Sequence, residues 1–155
     1  VVWRGDEAMN ATMKLCTKMV AVAWLGSHAA AFACTPDLAG AKAAAKTIES
    51  KSYALAFRTQ PEKITIGQHF VVELAVCAKA GAAAPGNVRV DAHMPEHRHG
   101  MNYKTTISGV GAGKYRAEGL MFHMPGRWEY IFEVRAGGEG DAGAVERMTT
   151  SVVLQ

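Results

Sequence analysis

Cysteine is scarce in this chain. Three are present in 155 residues, Cys16, Cys34 and Cys77, and they are too far apart for a Cys-x-x-Cys metal knuckle, a redox dithiol or a haem-attachment motif. Charge of one sign is also lacking: 17 Lys and Arg stand against 14 Asp and Glu, a formal +3 with six neutral histidines. No cluster of basic residues interleaves with aromatics, so no nucleic-acid partner is expected. Apolar runs are too short for a membrane-spanning helix, which needs about 20 residues. No glycine-rich loop follows a strand and opens a helix. Ser108 and Ser151 stand in no nucleophile motif. An enzyme is therefore not expected. What remains is an ordinary globular composition, 49% hydrophobic and 20% charged, long enough for one domain with a sizeable core.

The first 33 residues read as upstream sequence and a signal peptide rather than as fold. Met13, Lys14 and Lys18 resemble a start with a positive region; residues 19–25 are a short apolar core; Ala31 and Ala33 supply small residues at the −3 and −1 positions of a cleavage site. Cleavage would leave Cys34 first and direct the protein to the periplasm or another extracytoplasmic space. There Cys34 and Cys77 are an even pair that suits a disulfide. A lipid anchor at Cys34 ranks second, because Ala31 stands where lipoprotein signals usually carry Leu, and a free thiol ligand ranks third. Within residues 34–50, residues 39–48 are Ala- and Lys-rich with no wide apolar stripe, and the whole segment is expected as a flexible leader or short helix.

From residue 51 to 155 the periodicity is two. Tyr53, Leu55 and Phe57 alternate with small or polar residues; Ile64 and Ile66 suggest a short second strand; Phe70, Val72, Leu74 and Val76 share one face of a third. Val88, Val90, Ala92 and Met94 follow, then Tyr115 and Ala117. The parity slips to Leu120, Phe122 and Met124, which a bulge at Gly119 explains. Pro125-Gly126 is a turn with glycine supplying positive φ. Trp128, Tyr130, Phe132 and Val134 form the strongest inward face, and Met148, Thr150, Val152 and Leu154 close the sheet. Seven or eight short strands with regular turns and no long helix predict an all-β, two-sheet antiparallel sandwich.

The unusual chemistry is concentrated between His93 and Met124. Beyond residue 33 there are five histidines and five methionines, and four of each lie in this stretch. His97 and His99 stand two apart after Pro95, so an extended loop would point both rings one way. His123 ends another strand. Three imidazoles with thioether sulfur from Met101 or Met124 suit copper, the sulfur favouring Cu(I); three nitrogens alone suit zinc equally. His97 and His99 lead as metal ligands, His123 follows, and Met101 and Met124 come after. Met94 and Met121 are expected as core or packing residues. His93 is expected as a surface histidine, Asp91 or Glu96 as a partner that orients an imidazole, His69 as structural and Trp128 as a core residue.

The order Met94-Pro95-Glu96-His97-Arg98-His99-Gly100-Met101, then Gly113-Lys114-Tyr115, then Phe122-His123-Met124-Pro125-Gly126-Arg127-Trp128, resembles the YtkA-like domain family. The resemblance covers roughly residues 53–154. It implies an immunoglobulin-like sandwich, exported to the periplasm or cell surface, with a suggested link to copper handling. Two functions follow as expectations. One is an exported copper-binding or copper-delivery module whose partner is a copper-accepting or membrane protein. The other is a non-catalytic interaction domain whose His/Met loops, with Arg98 and Tyr103, form a docking surface.

Overall fold

Strict alternation from residue 128 to 134 sets the frame. Trp128, Tyr130, Phe132 and Val134 are all buried, while Arg127, Glu129, Ile131, Glu133 and Arg135 between them are half-buried on the opposite face. A computed structural model describes residues 35–38, 45–137 and 143–155. The strands are β1 (Lys46–Glu49), β2 (Tyr53–Gln60), β3 (His69–Ala78), β4 (Pro85–Met94), β5 (His99–Gly100), β6 (Thr106–Gly111), β7 (Lys114–Met121), β8 (Gly126–Ala136) and β9 (Val145–Leu154). They form a five-stranded sheet of order β1-β2-β3-β7-β6 and a four-stranded sheet of order β5-β4-β8-β9, antiparallel throughout. This is the expected two-sheet immunoglobulin-like sandwich, and no helix occurs among the described residues.

The core is the apolar face of each sheet laid on the other. Leu55, Phe57, Phe70, Val72, Leu74, Ala117 and Leu120 come from the first sheet, and Val90, Met94, Trp128, Phe132 and Met148 from the second. Aromatic rings bridge the layers: Phe57 meets Phe132 at 4.8 Å between ring centres, and Phe70 lies 6.4 Å from Tyr130. Each such fully buried side chain stabilises the fold by about 1.5–3 kcal/mol. The outer faces carry cross-strand ion pairs. Arg58 and Arg116 flank Glu73 across β2, β3 and β7, and Arg89 and Arg147 flank Glu133 across β4, β8 and β9. Their part is register more than stability, since partly exposed pairs contribute little.

Three expectations need correction. Residues 46–49 are a strand, because the β1 backbone finds partners along the open edge of β2 from Lys46↔Phe57 to Glu49↔Ala54; residues 39–44 of the expected leader lie outside the described set. Ile64 and Ile66 are not a strand. They sit in the β2–β3 loop and reach the core as isolated, half-buried side chains. The alternation over residues 103–107 suggests a short edge strand there; β6 instead begins at Thr106 and runs to Gly111. Cys77 is disulfide-bonded; its pairing with Cys34 lies outside the described residues.

The parity slip is a bulge. Between Val72↔Ala117 and Phe70↔Leu120, β3 advances two residues and β7 three. Gly119 takes the extra step at φ +85, and a Cβ there would stand 2.9 Å from the Lys104 carbonyl oxygen. Gly119→Ala should therefore cost about 1–3 kcal/mol in urea unfolding, from left-handed strain and the backbone clash together. A neutral substitution would show that the bulge relaxes freely.

Glu146 holds the β1–β2 turn to β9. Ser50 and Ser52 hydrogen-bond its carboxylate, the Ser52 N–H at 2.9 Å, and bring its pKa down from 4.5 to about 2. Because the folded value lies below the unfolded one, the stability this group contributes is complete above pH 4.5 and is lost as pH falls toward 2. Melting curves of the parent and of Glu146→Gln should differ at neutral pH and converge across that acid range. A gap unchanged by acid would assign the effect elsewhere.

Candidate metal site

Backbone pairing gathers the histidine loops at one pole of the sandwich. Strand β4 pairs with β8 up to His93↔Glu129, so the end of β4 lies beside the start of β8. Pro95 has no amide hydrogen to extend the ladder. The chain instead turns at once: His97 and Arg98 both donate backbone N–H groups to the Met94 carbonyl, at 3.2 and 2.9 Å, and Arg98 takes φ +56. His99 then returns to pair with Met94, and Met101 N–H reaches the Ala92 carbonyl at 3.1 Å. The loop is thus a tight hairpin and not the extended segment expected. Glu96 on its tip bonds Arg127 of β8 at 3.1 Å, tying the hairpin to the central strand.

The third ring comes from the crossover between the sheets. After β7 ends at Met121, residues 122–125 carry the chain to β8. Gly126, at φ +118, admits the Met94 methyl group where a Cβ would lie only 2.9 Å from it. Trp128 then falls back over the crossover. It stacks on Phe122 with ring centres 4.6 Å apart and donates its indole N–H to the Met124 carbonyl at 3.1 Å.

These restraints bring the three predicted imidazoles into a chain with His99 in the middle. His97 and His99 have ring centres 5.9 Å apart, and His99 and His123 are 5.2 Å apart. Trp128 lies under the latter two, edge-on, at 5.8 Å from His99 and 5.3 Å from His123. A nitrogen ligand sits ~2.0–2.1 Å from copper or zinc and its ring centre about 1.2 Å further, so two imidazoles on one tetrahedral ion have centres roughly 5 Å apart. The spacing matches; the ring orientations are not yet convergent. Among the described residues, no three His, Cys, Asp or Glu side chains stand close enough to hold an ion as placed. His97 is exposed, so its ring can rotate at little cost.

The donor chemistry is favourable at two of the three rings. His99 Nδ1 stands 3.0 Å from the Gly100 carbonyl oxygen. A carbonyl only accepts, so Nδ1 carries the proton and Nε2 keeps its lone pair, the arrangement typical of a ligating histidine. His123 Nδ1 is buried with no hydrogen-bond partner, a cost that a hydrogen-bond partner, or an ion on the unprotonated nitrogen, would remove.

The other candidates separate cleanly. Met101 and Met124 are half-buried against the core next to His99 and His123 along the chain, whereas Met94 is fully buried. His93 lies on the outer face and bonds Glu129 at 3.0 Å. Asp91 accepts from the Ala92 amide and Glu96 is held by Arg127, so the partner that orients a site imidazole is the Gly100 carbonyl instead. His69 packs edge-on against the exposed Tyr103 at 5.2 Å. The sequence marks Trp128 as a core residue; its place beneath two histidines follows from the reversal at Gly126, five residues after Met121.

A sequence profile of the YtkA-like family matches residues 47–133, more than half of the chain. The chain belongs to the YtkA-like family. The matched span includes all three histidines of this YtkA-like domain and both methionines beside them. No curated protein matches it. Among solved structures, a DUF4426 family protein from Pseudomonas aeruginosa PAO1 is similar at a TM-score of 0.44 and 6% identity, covering 72% of this chain and 96% of that one.

The hydrogen bond at Gly100 sets a tautomer. Long-range proton–nitrogen NMR spectra of the metal-free protein at neutral pH should show His99 protonated at Nδ1. A predominant Nε2–H form would mean that this ring offers no free nitrogen to the cluster.

Proposed function

We propose that this YtkA-like domain is an exported metal-binding module that takes up copper at His97, His99 and His123, with Met101 or Met124 adding sulfur, and delivers it to a copper-accepting protein. The observation that carries the reading is the approach of His99 and His123 to 5.2 Å across 24 positions of sequence, over an indole and next to a buried nitrogen without a partner. Copper is cargo in this reading. Imidazole binds either oxidation state, and thioether sulfur favours Cu(I). Export is supported by the signal-like run before Cys34, which sets the periplasm or cell surface as the place of exchange.

Metal that binds only the native state must stabilise it, by about 2.7 kcal/mol when free metal is a hundredfold above Kd. Addition of Cu(I) or Cu(II) to the purified protein should raise its melting temperature at one equivalent. Cu(II) should also quench the Trp128 emission, since that ring contacts two of the ligands. The double variant His97→Ala with His99→Ala should keep the fold and lose both responses. Zinc in parallel identifies a nitrogen-only site if it matches copper. A titration silent to all three ions would sink the metal reading and leave the hairpin as a docking surface.

A further inference from the structure

A cleft opens on the same sandwich, away from the histidines. The cleft has a volume of about 510 Å³ and lies among the end of β2, the β2–β3 loop, the start of β1 and the end of β9. None of His97, His99 or His123 lines it. Its volume falls in the range of small-molecule sites. Phe57, Ile64 and Leu154 give it apolar walls, and Lys46 and Lys63 stand exposed at its mouth.

The independent observation is Tyr130. This residue lines the cleft, is 2% exposed, and has a buried hydroxyl with no hydrogen-bond partner. Its neighbours are the rings of Phe57, Phe70, Phe122 and Phe132, none of which accepts a conventional hydrogen bond. Leaving such a hydroxyl unpaired lowers stability, and a phenylalanine would fill the same space without that cost. A hydroxyl in this position is therefore informative. The charges at the mouth point the same way. Arg58 is committed to Glu73, whereas Lys46 and Lys63 form no ion pair among the described residues, and Glu62 is the one acidic side chain in the lining.

We infer that the cleft binds a small amphipathic carboxylate: an apolar chain lies against Phe57, Ile64 and Leu154, a neutral acceptor such as a ketone oxygen takes the Tyr130 hydroxyl proton in a hydrogen bond, and the carboxylate stays at the wet mouth near Lys46 and Lys63. The carboxylate remains outside because burying it without a partner would be costly. The acceptor goes inside because there it satisfies a donor that is already desolvated.

The probe is 9-oxodecanoate, titrated into the full protein by calorimetry, with decanoate and 2-decanone as controls that lack the ketone and the carboxylate. One equivalent of 9-oxodecanoate should bind saturably, and each control at least fivefold more weakly. Tyr130→Phe should weaken 9-oxodecanoate about fivefold, leave decanoate unchanged and not lower the melting temperature. Ile64→Trp, in the half-buried loop, should block the cleft and abolish binding without unfolding the sheet. No saturable binding of 9-oxodecanoate overturns the site. So does binding indifferent to both substitutions, and so does a Tyr130→Phe effect as large for decanoate as for the ketone.

Discussion

The stacking of Trp128 on Phe122 is the contact on which the candidate site depends. Phe122 stands just past the end of β7 and Trp128 near the start of β8, so their rings, 4.6 Å apart, fasten the crossover between the two layers. The indole N–H to the Met124 carbonyl then removes the remaining freedom of the turn. A fully buried tryptophan needs a partner for that N–H, and here the partner is the backbone of the turn that it covers. One side chain thus fixes the apolar packing, the path of residues 122–126 and the ground on which two imidazoles rest.

The fold was largely legible because the physical signal was repeated. Alternation along Trp128, Tyr130, Phe132 and Val134 has one explanation, a strand with one face in a core, and the slip of phase at Gly119 has one economical cause. Sequence and structure part where the signal is short or where backbone pairing outweighs composition. Two isoleucines two apart look like a strand, but Ile64 and Ile66 anchor a loop. Alanine and lysine favour helix at residues 39–48, but an unpaired edge of β2 recruits residues 46–49 as β1.

At the site, sequence could name ligand types but not directions. An extended loop would point His97 and His99 the same way; the hairpin brings the rings together by another route, through the left-handed residue Arg98. Spacing along the chain says nothing about carbonyl oxygens, so the Gly100 acceptor was invisible, while Asp91 and Glu96 looked available and proved to be engaged elsewhere. The approach of His123 needed the order of both sheets, which no local pattern encodes.

The three rings differ in how firmly they are held, and that gradation bears on the delivery reading. His123 is half-buried above Trp128 and its Nδ1 is sealed from water; His99 is half-buried and tethered through Nδ1; His97 is exposed on the hairpin tip. A site with three equally rigid ligands would lose its ion only by breaking several bonds together. If the rings hold an ion, as proposed, this gradient would let the outer ligand leave first, at the small cost of turning one exposed ring, and an acceptor would take the vacated position before the next bond breaks. The same pole that holds two of the rings by packing leaves the third at the surface, where the proposed partner would reach it.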